Sequence, residues 1–280
     1  MGTINAAESL GLGRDLGSLA PGKLADILLL DDLASVKISG VFTAGREVVR
    51  NGRLVLKIDS PEYPDFLRQS VKVKAPLEPA DFTVRAEKAW SRVAVRVIEV
   101  RGDSLHMPEG RADLEVRDGL VQPDPGRDVL KIALVNANRL SGDIGQGFVR
   151  GFGLRQGALA TTHNPFFHGL AVVGTNEEDM ALAANVLVRA GGGQVAVAGG
   201  QVRALVELPL SGVLSDRPYR ENIKGFEKLA VAARDLGCQL PSAFKTLGFT
   251  TATGNIGDLK LSDQGLVDIP RRRLTSLFVE

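Results

Sequence analysis

The chain has 280 residues, enough to bury a substantial core as one large domain or two smaller ones. Apolar residues make up 44% and charged residues 24%, as in an ordinary globular protein, and a net charge of +1 gives no footprint for nucleic acid or an acidic membrane. No apolar run approaches the roughly 18 residues needed to span a bilayer. The first residues show no signal-peptide pattern, and the single cysteine, Cys238, precludes an internal disulfide framework, so a cytoplasmic location is expected.

In chain order, the opening residues to Leu12 read as a short helix ended by Gly11 and Gly13. Gly17–Lys23 nearly matches a phosphate-cradling loop, but position 24 is Leu where a metal-binding hydroxyl is needed, and a strand-like LADILLL follows where a helix should open. A turn feeding a strand is therefore expected. Ala44-Gly45 and Asn51-Gly52 between apolar runs predict tight hairpins. Residues 59–81 carry four prolines and read as a linker between a first segment, 1–58, and a second, 82–280. Beyond it, Val93, Val95 and Val97 alternate as in a half-buried strand, Asp118-Gly119 marks a hairpin, and residues 128–135 read as another strand. A third hairpin is expected around Gly199-Gly200. Phe226, Leu229, Ala233 and Leu236 share one stripe of a helix over 221–237 that Gly237 stops. The remainder reads as short strands and loop with a solvated basic cluster at Arg271-Arg272-Arg273.

The densest stretch is 145–188. A Gly-rich run leads into Ala158–Thr162, a turn at Asn164-Pro165, an apolar run over Gly169–Gly174, and then Thr175-Asn176-Glu177-Glu178. A Glu three residues after Thr175 predicts a capping box, and Met180, Ala183, Ala184 and Leu187 predict one face of a helix that ends at Gly191–Gly193. Gly145, Gly147 and Gly151, like Gly151, Gly153 and Gly157, are spaced GxGxxxG, which is not the dinucleotide fingerprint.

The runs GFVRGFGLRQGALA and VVGTNEEDMALAANVL, with LGSLAPGKLADILLLDDL near the start and DLKLSDQGLVDI near the end, resemble the C-terminal domain of bacterial adenine deaminases of the amidohydrolase superfamily. The resemblance implies a mixed α+β fold: a short β-sandwich remnant of an amidohydrolase with the last barrel helix in residues 1–58, then an α/β C-terminal domain. It implies the reaction adenine plus water to hypoxanthine and ammonia for the complete enzyme, with a divalent metal, iron, manganese or zinc, in the barrel. That barrel needs a His-x-His pair, and this chain has only His106, His163 and His168. No cofactor is therefore expected in the chain itself, and the barrel is expected to lie outside it. In this family His-Asp-Ser-His-Asn is common where Pro165-Phe166-Phe167-His168-Gly169 stands here, and an Arg-His pair is common at Ala137-Asn138.

His163 and His168 are five apart with Pro165 between them, so they cannot pair as on a metal-binding helix, and neither has a carboxylate within four residues. His163, Asn164 and His168 remain the candidate substrate-binding residues; no residue is assigned a catalytic or metal-binding role. Cys238 and Ser141-Gly142-Asp143 read as packing and a turn. The implied partners are a purine or related heterocycle and either a second copy of the chain or a barrel domain, with no nucleic acid and no membrane. Three readings stay open: the C-terminal portion of an adenine-deaminase-like hydrolase inactive alone, a non-catalytic binding or assembly module that kept the fold, and a small enzyme using the His163–His168 loop.

Overall fold

The computed structural model describes residues 2–57, 61–68, 70–102, 104–164, 169–254 and 256–279. The chain divides into two compact units, residues 1–62 and 63–280. In the first, helix α1 (Ile4–Ser9) precedes a four-stranded antiparallel sheet of β1 (Ile27–Asp32), β2 (Lys37–Thr43), β3 (Arg46–Arg50) and β4 (Arg53–Leu54) in sequence order. The expected turns form: Ala44-Gly45 joins β2 to β3 and Asn51-Gly52 joins β3 to β4, all four residues at positive φ, the hairpin geometry that matches strand twist. In the near-miss phosphate loop, Lys23 Nζ donates to the carbonyls of Gly13 (2.6 Å) and Leu16 (3.3 Å). The lysine closes its own turn.

The second unit opens with a single helical turn, α2 (Asp65–Arg68), and a turn of 3-10 helix over Pro79–Phe82. Val71, Val73 and Leu77 pack onto the core and Phe82 is buried, so the proline-rich stretch from Tyr63 onward contributes side chains to this unit. Next come β5 (Arg92–Glu99), β6 (Glu109–Arg117), β7 (Leu120–Val121), β8 (Leu130–Asn136), β9 (Ile144–Arg150), β10 (Ala158–Thr161) and β11 (Gly169–Gly174). Helix α3 (Glu177–Arg189) leads to β12 (Gly193–Ala198) and β13 (Gln201–Glu207). Helices α4 (Tyr219–Asp235) and α5 (Ala243–Thr250) and the short strands β14 (Leu259–Ser262), β15 (Gly265–Asp268) and β16 (Arg273–Leu274) complete it.

Nine strands form one sheet in the order β13-β12-β10-β11-β8-β9-β5-β6-β7, antiparallel throughout except β5 with β9. Its middle strands are covered on both faces, which is why they read as largely apolar runs. Leu170, Val172, Val195 and Val197 face α3, whereas Leu159, Ala171, Val173 and Ala196 face α4, α5 and the β14–β15 hairpin. The fold is thus a mixture of helices and strands, as expected. Among the described residues α3 is the one α-helix that bridges strands of the sheet, carrying the chain from β11 past β10 to β12, so the pattern is not a parallel βαβ array.

Two local expectations change. The cap of α3 is Asn176, whose Oδ1 accepts the N–H of Asp179 at 2.8 Å, whereas Thr175 turns away and donates to Gly157 O at 3.2 Å. Asn caps as well as Thr does, and the helix starts one residue later than a Thr175 cap requires. The tail read as strand and loop contains α5, which is buried nearly all round and so lacks the one-sided stripe that marks a surface helix.

Candidate functional site

Residues 161–164, after β10, are held by threonines. Thr161 Oγ1 accepts the N–H of His163 at 3.1 Å. Thr162 Oγ1 accepts the N–H of Gly193 at 2.7 Å and donates to Gly212 O at 2.5 Å, so one buried hydroxyl pins three loops together. Asn164 turns inward, 7% exposed, and its Nδ2 donates to Thr251 Oγ1, which itself donates to Gly248 O at 2.8 Å. This chain of bonds ties the loop to the end of α5. His163 is exposed and stands at the wall of a cavity of about 710 Å3. His168, the third candidate, lies outside the described residues. His106 is at the surface, its Nε2 3.9 Å from Asp258 Oδ1.

A second cavity, of about 250 Å3, is lined by Ala137, Asn138, Thr162, Gly169 and Ser211. The fold therefore brings Ala137-Asn138 and the ends of the 163–168 loop, far apart in sequence, to one small cavity. Asn136 sets the first of these segments: its Oδ1 accepts the N–H of Arg139 at 3.0 Å and its Nδ2 donates to Asp263 at 2.7 Å.

The Gly-rich run serves the fold through its backbone. The carboxylate of Asp128 accepts the N–H groups of Gly151 (2.8 Å) and Gly153 (2.7 Å). A phosphate would need those same donors, so an internal anion already satisfies them. Among the described residues no three His, Cys, Asp or Glu side chains come together as a metal-holding group. The donor set an amidohydrolase metal requires does not fit what these described residues offer.

Buried charge is where the sequence was least legible. Lys131, 1% exposed, pairs with Glu177 in the first turn of α3. Lys260, fully buried, has no carboxylate partner among the described residues; its Nζ donates to Leu105 O (3.1 Å) and Phe249 O (2.9 Å), and burial lowers its pKa to about 8. Burial also pushes the Cys238 thiol up. Gln194, 8% exposed on β12, is a further buried polar side chain that pattern alone did not single out.

Two family models match: the adenine deaminase C-terminal domain over residues 106–273 and the amidohydrolase family over residues 1–52. The chain is 40% identical over 280 residues to an adenine deaminase of Clostridium botulinum (strain 657 / Type Ba4), covering 100% of this chain and 46% of the relative. It is 42% identical over 276 residues to an adenine deaminase of Moorella thermoacetica, covering 99% and 46%. Against the adenine deaminase of Mesorhizobium japonicum it is 39% identical over 280 residues. The chain spans about half the length of these relatives. No helix among the described residues is long and apolar enough to cross a membrane. With the domain model matching more than half of its length, this chain belongs to the adenine deaminase C-terminal domain family.

Proposed function

We propose that the chain works as the C-terminal portion of a hydrolase that converts adenine and water to hypoxanthine and ammonia, and that it is inactive without a metal-bearing barrel. The observation that carries this is the match along the whole chain to adenine deaminases of twice its length. Residues 1–58 would be the barrel tail and β-sandwich strands, 59–81 the connection, and 82–280 the domain proper. Leu28, Leu29, Leu33 and Val55, all about half exposed or more, support this: apolar side chains on a small sheet suit a barrel or a second copy leaning on them. His163, with Asn164 fixing its loop, would face the heterocycle together with His168.

The test is ammonia release from adenine by the purified chain with iron, manganese or zinc supplied, alone and fused behind a barrel from a relative. Release by the fusion only is expected. Hydrolysis by the chain alone, lost in His163→Ala, would overturn the reading.

A second reading, a binding or assembly module that kept the fold without the reaction, is favoured by Ala137-Asn138. These occupy the small cavity with a methyl and a neutral amide, neither of which moves a proton near neutral pH. A folded fusion with a competent barrel that releases no ammonia supports it.

A further inference from the structure

The 710 Å3 cavity lies on the α4–α5 face of the sheet and has an unusual floor. Gln194 shares its face of β12 with Ala196 and Ala198, which pack toward α4, so its side chain enters the cavity. The residue is 92% buried by the 8% exposure of its surface, yet its carboxamide forms no hydrogen bond with any described residue. The amide atoms are not closed off from solvent: they open onto the cavity, where an entering group can pair with them in place of water. It offers one acceptor and two donors side by side, the set that pairs with the donor–acceptor edge of a nucleobase.

The walls supply the rest. Phe226 and Leu229 on α4 and Phe244 on α5 give an apolar slot for a flat ring. The first turn of α5 opens into the cavity with Ser242 making no side-chain cap and no acidic residue in that turn, so its N–H groups and positive dipole end are left for an anion. Lys245 and Arg234 stand exposed beside it, neither paired with another described residue, and no Asp or Glu is among the lining residues. A ring slot with a pairing group at one part and an anion-binding end at another fits a molecule that carries both. The volume suits a nucleotide; a single ring with a carboxylate would leave most of it to water.

We infer that this cavity is a binding site for a nucleoside monophosphate, the base meeting Gln194 and the phosphate meeting the α5 N-terminus with Lys245 and Arg234. His163, which the proposed function turns toward a heterocycle, stands at the wall of the same cavity, but binding here requires no barrel and no turnover, so the test below fails or succeeds separately from that reading.

The test is calorimetric titration of the purified chain with adenosine 5′-monophosphate, adenosine and inorganic phosphate. The monophosphate should bind at least tenfold tighter than either part, more weakly as salt rises. Gln194→Leu should weaken it at least tenfold while leaving thermal unfolding unchanged or higher, because the amide makes no hydrogen bond with any described residue. Lys245→Ala should weaken the monophosphate and leave adenosine unchanged. Ala230→Trp, from a wall residue on α4, should abolish both by filling the slot. Adenosine binding as tightly as the monophosphate, no binding at millimolar concentration, or full binding by both Gln194→Leu and Ala230→Trp would each overturn the proposal. Adenine hydrolysis by a barrel fusion has no bearing on these outcomes.

Discussion

Lys260 Nζ lies 2.9 Å from the carbonyl oxygen of Phe249, and this contact finishes a helix end by unusual means. The last turn of α5 tightens, the N–H groups of Thr251 and Ala252 reaching Gly248 O (3.4 Å) and Phe249 O (3.3 Å), and side chains add to this end: Thr250 donates to Leu247 O (2.6 Å), Thr251 to Gly248 O (2.8 Å) and Lys260 to Phe249 O. A cation suits this end of the helix dipole, yet burial favours the neutral amine, and the pKa of about 8 records that burial wins.

The sign of the pH dependence follows. In the unfolded chain the lysine binds its proton up to its ordinary pKa near 10.5, so between about 8 and 10.5 the unfolded state holds more protons and stability rises with pH. This contribution is complete above 10.5 and lost as pH falls through 8. The wild-type advantage over Lys260→Met should therefore grow by up to roughly 3 kcal/mol from neutral pH to pH 10.5. Urea midpoints of both proteins at two pH values measure it, and a difference that stays flat would refute the account.

Asp179 joins two elements with one carboxylate. It accepts the N–H groups of Gly199 (3.1 Å) and Gly200 (2.9 Å) at the β12–β13 turn while sitting in the first turn of α3 beside Asn176 Nδ2 (3.0 Å). Buried at 4% exposure, it has little water to fall back on. Asp179→Ala is expected to cost about 3 kcal/mol, since it strands two turn donors, whereas Thr175→Ala should cost under about 1 kcal/mol because that hydroxyl does not cap the helix. Equal losses in chemical denaturation would restore Thr175 as the cap.

Cys238 gives a probe of the core between α4 and α5. The thiol is 1% exposed and burial holds it protonated, so a disulfide reagent at mildly alkaline pH should react at a rate set by opening of the fold. The rate should climb with urea in step with unfolding. Rapid full labelling of the native protein would show that the α4–α5 layer is not packed as described.

The elements legible in the sequence are those whose signal is local. Asn51-Gly52, Asp118-Gly119 and Gly199-Gly200 each demand positive φ and each sits at a hairpin tip. The stripe Phe226, Leu229, Ala233, Leu236 marks α4 because one face of that helix meets water. What stayed hidden depends on long-range burial. Lys131 and Lys260 look like surface residues of their strands until both sheet faces are covered, and Gln194 reads as an ordinary polar residue until α4 closes over it. The candidate site shows the same limit: that His163 faces a cavity and Asn164 reaches Thr251 is set by residues far along the chain, and no local signal carries it.

The glycines of β9 settle what the Gly-rich run is for, and they make opposite predictions at adjacent positions of one face. Gly145 and Gly147 point toward the β14–β15 hairpin, which lies across β9. A Cβ on Gly145 would run into the carbonyl group of Ser262, a backbone atom held in place by its own hairpin. On Gly147 the nearest atom would be Leu266 Cδ2 at 3.1 Å, the end of a side chain that can turn aside. Neither residue has positive φ, so the difference is one of space and not of backbone strain. Gly145→Ala must push the hairpin off the sheet and is expected to cost more than about 3 kcal/mol; Gly147→Ala should cost about 1 kcal/mol or less, since it adds buried apolar surface against a small shift. Thermal unfolding of the two variants decides it. Equal tolerance of both would mean that the hairpin does not rest on β9, and equal intolerance would mean that the run is constrained by something other than the Ser262 carbonyl.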